Sequence, residues 1–510
     1  MAAEFAIRMN EPAASPAPDA SRPALSIWRN WITFSGVVVA GGSLFAFLLL
    51  LTLDLTGRGA KNPYLGILCF LVAPAFLFLG LALVLGGAWH ERRRRTRTPL
   101  AHAPRVAIDL NRPRDRRILV WFICGTMSFL MLTAVGSYQT FQYSESVQFC
   151  GEVCHTVMEP EYVTYQHGSH ARVACVECHI GSGAAWFVKA KVSGTYQVYS
   201  VLFKKYQRPI PTPVTNLRPA RETCLQCHWP EKYSGSIERT SHHYLADKAN
   251  TPYTVRLLVH VGGGSAATGP VGGIHWHMLV DNKVEYYASD PQRQTIPWIR
   301  QTAPDGRVTV YRTPDFKGEP DPKAIRRMDC MDCHNRPAHK YATPDAAVDE
   351  AMDLGRIDAR LPSIKRTAVD LLTKPYANRD AAMAAIGKAL AAAYPGQGDL
   401  PATVAAVQTI YRDNFFPEMR ADWSRYPDNI GHLDSAGCFR CHDSKHSVAG
   451  EGKRMLTTDC NTCHTILAQG SGADLARVSP AGQPFKHPAT DIEGLGLNCN
   501  DCHNGKNQEN

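Results

Sequence analysis

Apolar residues are spread unevenly along this chain, and the unevenness divides it. Three long apolar runs, Trp31–Leu53, Tyr64–Gly87 and Ile118–Gly136, lie in the first 140 residues, and none contains an internal charge. Each has about the 17–25 residues that cross a bilayer. A core helix of a soluble protein is usually amphipathic, so three transmembrane helices are expected. A cleaved signal peptide fits poorly, because the first run is too long and about thirty mostly polar residues precede it.

Further along, the pattern changes twice. Between about 240 and 320, YTVRLLVHV, GGIHWHMLV, KVEYYAS and RVTVYRT are β-branched and aromatic runs, punctuated by Asp281-Asn282 and Pro304-Asp305-Gly306. They predict a small antiparallel sheet. On such a strand His275 and His277 share one face and Trp276 takes the other. Between about 344 and 430 the pattern is helical. Thr343-Pro344-Asp345 marks one start, Asn378 caps an alanine-rich helix ending at Tyr394-Pro395-Gly396, and another helix runs from about Ala402 to Asn414. This spacer carries no motif cysteine or histidine and reads as scaffold or docking face.

Charge orients the apolar runs. Residues 90–117 hold ten arginines against Glu91, Asp109 and Asp115, whereas the connection between the first two runs holds only Arg58 and Lys61. The arginine-rich segment is therefore expected on the cytoplasmic side, with the amino terminus inside and everything after Ser137 outside, in the periplasm. A basic run also suits nucleic acid, but its place between two spans favours topology and anionic lipid, and no nucleic-acid partner is expected. This segment supplies +7 of the net +9, so the overall charge says little about a periplasmic partner.

The candidate chemistry lies in the cysteines. Fourteen of sixteen occur in seven pairs followed at once by histidine: Cys150/Cys154-His155, Cys175/Cys178-His179, Cys224/Cys227-His228, Cys330/Cys333-His334, Cys438/Cys441-His442, Cys460/Cys463-His464 and Cys499/Cys502-His503. Six are C-x-x-C-H, the attachment site of a c-type haem. The first, CGEVCH, has one extra residue. Zinc knuckles do not require a histidine after every second cysteine, and a thioredoxin-like dithiol occurs once. Seven covalent haem c groups are expected, each with the adjacent histidine on iron. Cys69 and Cys124 lie in apolar spans and are small core residues.

Spacing then gives an architecture of three N-terminal transmembrane helices followed by a multihaem periplasmic region of short helices and loops, with a small β insert and a helical spacer. The expected divisions are a cytoplasmic tail (1–30), the anchor (31–137, basic loop 90–117), haems 1–3 (138–239), the β-rich insert (240–320), haem 4 (321–343), the helical spacer (344–430) and haems 5–7 (431–510).

Six-coordinate iron needs distal ligands. Eleven non-motif histidines follow the third run: His167, His170, His242, His243, His260, His275, His277, His339, His432, His446 and His487. Those beside motifs, namely His170, His339, His432, His446 and His487, are the first candidates. One member of each doublet follows, with His243 and His277 chosen. His260 is read as structural. Met158, close behind the first motif, is a candidate ligand there, against the plain alternative of packing on a haem edge.

The stretch CGEVCHTVMEPEYVTYQHGSHARVACVECHIG after an apolar anchor resembles the NapC/NirT/NrfH family of membrane-anchored quinol dehydrogenases, over about residues 118–230. The whole layout resembles heptahaem inner-membrane cytochromes of metal-respiring bacteria. The resemblance implies a quinol site beside the first haem and ligation of that haem through the methionine. The family motif is C-x-x-C-H-x-M, whereas here it is C-x-x-x-C-H-x-x-M, so Met158 and His155 both stand as candidates. It also implies a lysine and an acid on the helix after the second motif. Lys191 sits at the lysine position, with Lys189 second. No acid occurs between Glu177 and Glu222, which leaves Glu159, Glu161, Gln197 or water for the proton-accepting role. Independently of the family, AAWFVKAKVSGTYQVYSVLF is aromatic and cationic, suited to the interface with its lysines snorkelling.

The expected function is transfer of electrons from membrane quinol to a periplasmic multihaem cytochrome or reductase, at the bacterial inner membrane. A terminal reductase is the main rival. It is disfavoured because every motif ends in histidine, where multihaem nitrite reductases often carry C-x-x-C-K. A passive tethered carrier is the other.

Overall fold

The computed structural model describes residues 30–55, 72–97, 110–153, 155–181, 183–214, 217–229, 233–263, 272–278, 282–397, 399–448, 454–488 and 498–506. The expected tail, most of the loop after the first run, residues 98–109 of the basic loop, and Cys154 lie outside them. Two compact units divide between Val135 and Gly136.

In the first unit, helices Trp31–Leu55 and Ala73–Arg97 pack along one another. Small residues make the close approach possible. A Cβ on Gly36 would stand 2.6 Å from the Val84 amide nitrogen, and one on Gly80 would stand 2.5 Å from that of Ala40. Asn30 Nδ2 donates to the Gly87 carbonyl at 2.8 Å. Trp31–Leu50 and Ala73–Arg93, with mean hydropathies of 2.1 and 1.6, are long and apolar enough to cross a membrane. The third run lies within one 32-residue helix, Pro113–Ser144. Proline at a first helical position and Asp115 in the first turn favour its start.

In the second unit, the cysteine motifs form very short elements. Cys175–His179, Ala220–Cys224, Cys330–Cys333 and Cys499–Cys502 are single helical turns, and Gly437–Arg440 and Cys460–Thr462 are 3₁₀ turns. Asp329 and Asp332 form a capping box around the fourth motif. The first motif differs. Phe149–Val153 is a π-helical turn, which holds one residue more than an α-helical turn and so takes up the extra residue of CGEVC. Gly151 is needed there, because a Cβ would lie 2.2 Å from the ring of Tyr162. The Tyr162 hydroxyl donates to Glu152 Oε1 at 3.0 Å.

Two antiparallel sheets are present among the described residues. Strands β1 (Ile237–Tyr244), β2 (Pro252–Val259) and β8 (His464–Gly470) form one, in the order β1-β2-β8. Strands β3 (Lys283–Tyr287), β4 (Trp298–Thr302), β5 (Val308–Arg312), β6 (Arg326–Arg327) and β7 (Ser447–Val448) form the other, in the order β6-β3-β4-β5-β7. Gly306, at φ 82°, turns β4 into β5. Both sheets therefore knit residues of the 240–320 segment to residues after 440.

The expected strand GGIHWHMLV is instead a 3₁₀ helix over Ile274–Met278. Three residues per turn send His275 and His277 in different directions, so they do not share a face.

The helical spacer forms four helices, Pro344–Asp353, Ile364–Thr373, Arg379–Ala393 and Leu400–Asn414. Their fully buried residues include Val348, Ile364, Val369, Leu372, Ile386, Leu390 and Val407. Ala382, Ile386 and Leu390 recur every fourth position, forming the inward stripe of the alanine-rich helix. Asn378 Oδ1 accepts from the Ala381 amide at 2.9 Å, capping it. Buried Asp349 ties this bundle to β1, accepting from Lys365 Nζ at 2.5 Å and from the Tyr244 amide at 3.1 Å.

Candidate haem sites and the surface beside the first motif

Among the described residues, six motif histidines each face a second histidine. Ring centroids are 6.3 Å apart for His179 and His339, 6.1 Å for His228 and His170, and 6.2 Å for His334 and His275. They are 6.0 Å apart for His442 and His277, 6.1 Å for His464 and His432, and 5.9 Å for His503 and His487. An imidazole nitrogen binds a first-row metal ion at about 2 Å and lies about 1 Å from its own ring centre. Two imidazoles on opposite sides of one ion thus have centroids about 6 Å apart. All six pairs have that spacing.

The hydrogen bonds of these rings match the same role. A ligating histidine commonly fixes its other nitrogen on a carbonyl. His170 Nδ1 pairs with the Pro337 carbonyl at 2.9 Å, His339 Nδ1 with that of Glu161 at 2.8 Å, and His275 Nδ1 with that of Val261 at 3.1 Å. His277 Nδ1 pairs with the Ile274 carbonyl and His442 Nδ1 with the Thr457 carbonyl, at 2.8 and 2.7 Å. Nε2 is thereby turned toward the facing ring. His432 and His464 have buried Nδ1 atoms with no hydrogen-bond partner. Burial holds His179 down to about 4, with the facing His339 adding to the effect. It also lowers His277, His334 and His503, so the rings are held neutral, the form that binds metal. The residues present fit six-coordinate haem iron.

Other histidines are committed elsewhere. His446 is fully buried, with Nδ1 on Asp443 Oδ1 and Nε2 on the Ile296 carbonyl, both at 2.7 Å. Among the described residues it faces no motif histidine, and both of its nitrogens are taken by protein partners. His243 pairs with Asp349 at 3.3 Å and His242 with Thr254 at 3.1 Å. His260 uses both nitrogens, on Ser236 and Thr465. His275, passed over in favour of His277, has a motif partner of its own. The 3₁₀ geometry lets both members of this doublet face a motif histidine.

The attachment cysteines follow one another in chain order. Cys150 and Cys175 share a side-chain hydrogen bond, as do Cys224 and Cys330. Burial raises the thiols of Cys178, Cys333, Cys463 and Cys499, and a cysteine of an adjacent motif adds to each. These neighbours are Cys227 for Cys178, Cys438 for Cys333 and Cys463, and Cys460 for Cys499. Arg440 reinforces the junction of the fourth and fifth motifs, donating to the Asp332 carbonyl at 2.6 Å. Each motif thus has a cysteine beside one in the next.

Met158 is half-buried on the helix His155–Gln166 that follows the first motif. The side chain of His155 lies outside the described residues. Glu159 is bound by Arg379 Nη1 at 2.5 Å, and Glu161 lies by His339 Nδ1 at 3.4 Å and accepts from the Tyr341 hydroxyl at 3.3 Å. These two carboxylates serve the scaffold and the His339 ring. Lys191, Lys189 and Gln197 all lie on the helix Ala184–Leu202. Lys189 covers the Trp186 ring at 4.6 Å, and Gln197 is exposed. Lys191 instead pairs with Glu145, which sequence reasoning missed. The available signal was its place as the first acid after the third apolar run. The Cys150 thiol is pushed up first by its bond to Cys175 and by burial, then by the Glu145 charge, with Lys191 opposing.

Paired imidazoles beside ordered cysteine motifs define a multihaem c-type cytochrome, and the apolar N-terminal helices make it a membrane-anchored one. The chain belongs to the NapC/NirT cytochrome c family, whose N-terminal region matches residues 112–210. It is 42% identical over 496 residues to the cytochrome c-type protein ImcH of Geobacter sulfurreducens, covering 94% of this chain and 95% of that one. It is 37% identical over 79 residues to the cytochrome c-type protein NrfH of Wolinella succinogenes, covering 15% and 44% respectively. No solved structure matches. Membership implies electron transport by covalently bound haem c in the inner membrane.

Proposed function

We propose that this protein is a quinol dehydrogenase with three membrane spans and seven covalent haem c groups. It takes electrons from membrane quinol beside the first motif and delivers them to a periplasmic multihaem cytochrome or reductase. The observation that carries this reading is the set of six facing histidine pairs. These pairs would supply both axial positions of six haems, which suits transfer and disfavours a reductase that needs an open iron. When bound, haem c supplies reversible one-electron storage whose potential is tuned by its axial ligands.

The chain's own residues do the rest. The cysteines anchor the groups in sequence order. The carbonyls of Pro337, Glu161, Val261 and Ile274 fix the distal rings. At the first motif, Met158 or His155 is the ligand. Exposed Trp121 and Met131, at 77% and 70%, suit lipid contact by the third helix, with the arginine-rich loop cytoplasmic. On the helix Ala184–Leu202, exposed Val188, Val192, Tyr196 and Tyr199 recur at helical spacing and suit burial in the interface. Lys191 on this helix is the expected donor to quinol oxygen.

Menadiol should reduce the purified, lipid-reconstituted protein. Lys191→Leu should slow that reduction by roughly tenfold or more, since a charged hydrogen bond is worth about 1.5–3 kcal/mol and about 1.4 kcal/mol is a factor of ten. Reduction by dithionite should be unchanged. Failure of menadiol to reduce the wild-type protein would leave a passive carrier.

A further inference from the structure

A quinol hydroxyl is a weak acid, and its oxidation is assisted by a base within hydrogen-bond reach. The helix Ala184–Leu202 carries Lys189 and Lys191 but no carboxylate. The missing acid arrives from another element. Glu145 follows directly on the helix Pro113–Ser144, and its carboxylate forms an ion pair with Lys191 Nζ. Lys191 Nζ also lies 3.4 Å from Ser144 Oγ. The rings of Phe141 and Phe187 are 6.0 Å apart, with Nζ at 5.9 and 5.1 Å from their centroids. The Glu145 side chain is 11% exposed and that of Lys191 37%. Among the described residues, the charged and titratable groups that face this carboxylate are Lys191 and the sulfur of Cys150, the first cysteine of the first motif.

A partly exposed ion pair adds little to stability. What this one provides is a base and a donor beside the Phe141 and Phe187 rings, near an attachment cysteine. Tyr138, Phe141 and Tyr143 lead up to it, the residue types that concentrate at a membrane–water boundary.

Resting on the quinol reading above, we propose that Glu145 is the proton acceptor for quinol, a catalytic residue paired across elements with Lys191. The quinol O–H bond breaks as its proton bonds to Glu145, whose charge no longer holds Lys191, and Lys191 donates to the quinol's oxygen. The second hydroxyl proton leaves to solvent. The oxidant would be the ferric haem c that the first motif holds, which would take the two electrons one at a time, passing the first to the haem of the next motif before accepting the second. Quinol thus becomes quinone with both protons and both electrons accounted for.

The test uses the full-length haem-loaded protein in liposomes, with menadiol as donor and 2-heptyl-4-hydroxyquinoline N-oxide as binding probe. Glu145→Gln should lower kcat for menadiol at least a hundredfold, the scale of a lost general base. Probe affinity, read by fluorescence quenching, should change no more than about threefold. Haem content and dithionite reduction should match the wild type. Glu145→Asp should recover part of the rate, and the double variant Glu145→Gln/Lys191→Met should remain slow. Wild-type kcat in Glu145→Gln overturns the proposal while leaving the quinol reading intact. So does recovery of rate in the double variant, which would mark the pair as structural, and so does loss of probe binding in parallel with rate. If Glu145→Gln fails to load haem, the Glu145→Asp rate and probe affinity decide by the same criteria. A wild-type protein that menadiol does not reduce removes the quinol reading itself.

Discussion

At the scale of single residues, what separates a ligand from a bystander is where its second nitrogen goes. His277 and His446 are both well buried, yet His277 spends Nδ1 on a carbonyl and faces His442, while His446 spends both nitrogens on protein. Removing the two rings should therefore have different spectroscopic consequences. His277→Ala should convert one haem to a high-spin signal in electron paramagnetic resonance, with the covalent haem count unchanged. His446→Gln should retain the low-spin spectrum and lose stability instead, because it leaves the buried Asp443 and Ile296 partners imperfectly satisfied. A high-spin signal in the second variant, and none in the first, would invert the ligand assignment. His275→Ala should behave like His277→Ala, since its ring lies parallel to that of His334 with centroids 6.2 Å apart. Sequence proximity could not distinguish these histidines, because a ligand's partner is distant in the chain: His275 and His334 are brought together only by folding.

At the scale of elements, local signals were reliable where local physics decides. Asn378 was legible as a helix cap, and its side chain does cap Arg379–Ala393. Asn378→Ala should cost about 1 kcal/mol. Ile386→Ala, in the fully buried stripe of the same helix, should cost about 2–5 kcal/mol. Thermal unfolding followed by circular dichroism should show a clearly larger fall in midpoint for the second. Equal shifts would mean that this helix is not held chiefly by its buried face. Signals failed where packing overrides periodicity. GGIHWHMLV has strand composition, but Gly273 within it sits at φ 73° and the residues after it form the 3₁₀ turn Ile274–Met278. Strands β1 and β4 carry many polar side chains in IERTSHHY and WIRQT, so alternation does not announce them; β1 stays largely exposed, while β4 buries Trp298 and Ile299. The helix Ile364–Thr373 was likewise passed over, since it has no side-chain cap to announce it.

At the scale of the whole molecule, the expected count is seven covalent haems. The π-helical turn over Phe149–Val153 gives the widened first motif room for its extra residue. Intact-mass measurement should find the polypeptide plus seven haems, and a mass with six would mean that CGEVCH is unused and that electrons enter elsewhere. Seven groups in sequence order would give a single path whose two ends are the first and last motifs.

The sequence by itself determined the chemistry. Seven cysteine pairs with trailing histidines, long uncharged apolar runs and one arginine-rich loop are covalent and compositional facts that no packing can reassign. Tertiary structure alone decided which histidine faces which motif, that His275 and His277 each face a motif histidine, and that Lys191 meets Glu145, 46 residues earlier in the chain. The physical reason is one of range. A thioether site and a bilayer span are set by neighbours within a few residues to a few turns. A distal ligand or an ion pair is set by separations of about 3–6 Å between segments that only the completed fold brings together.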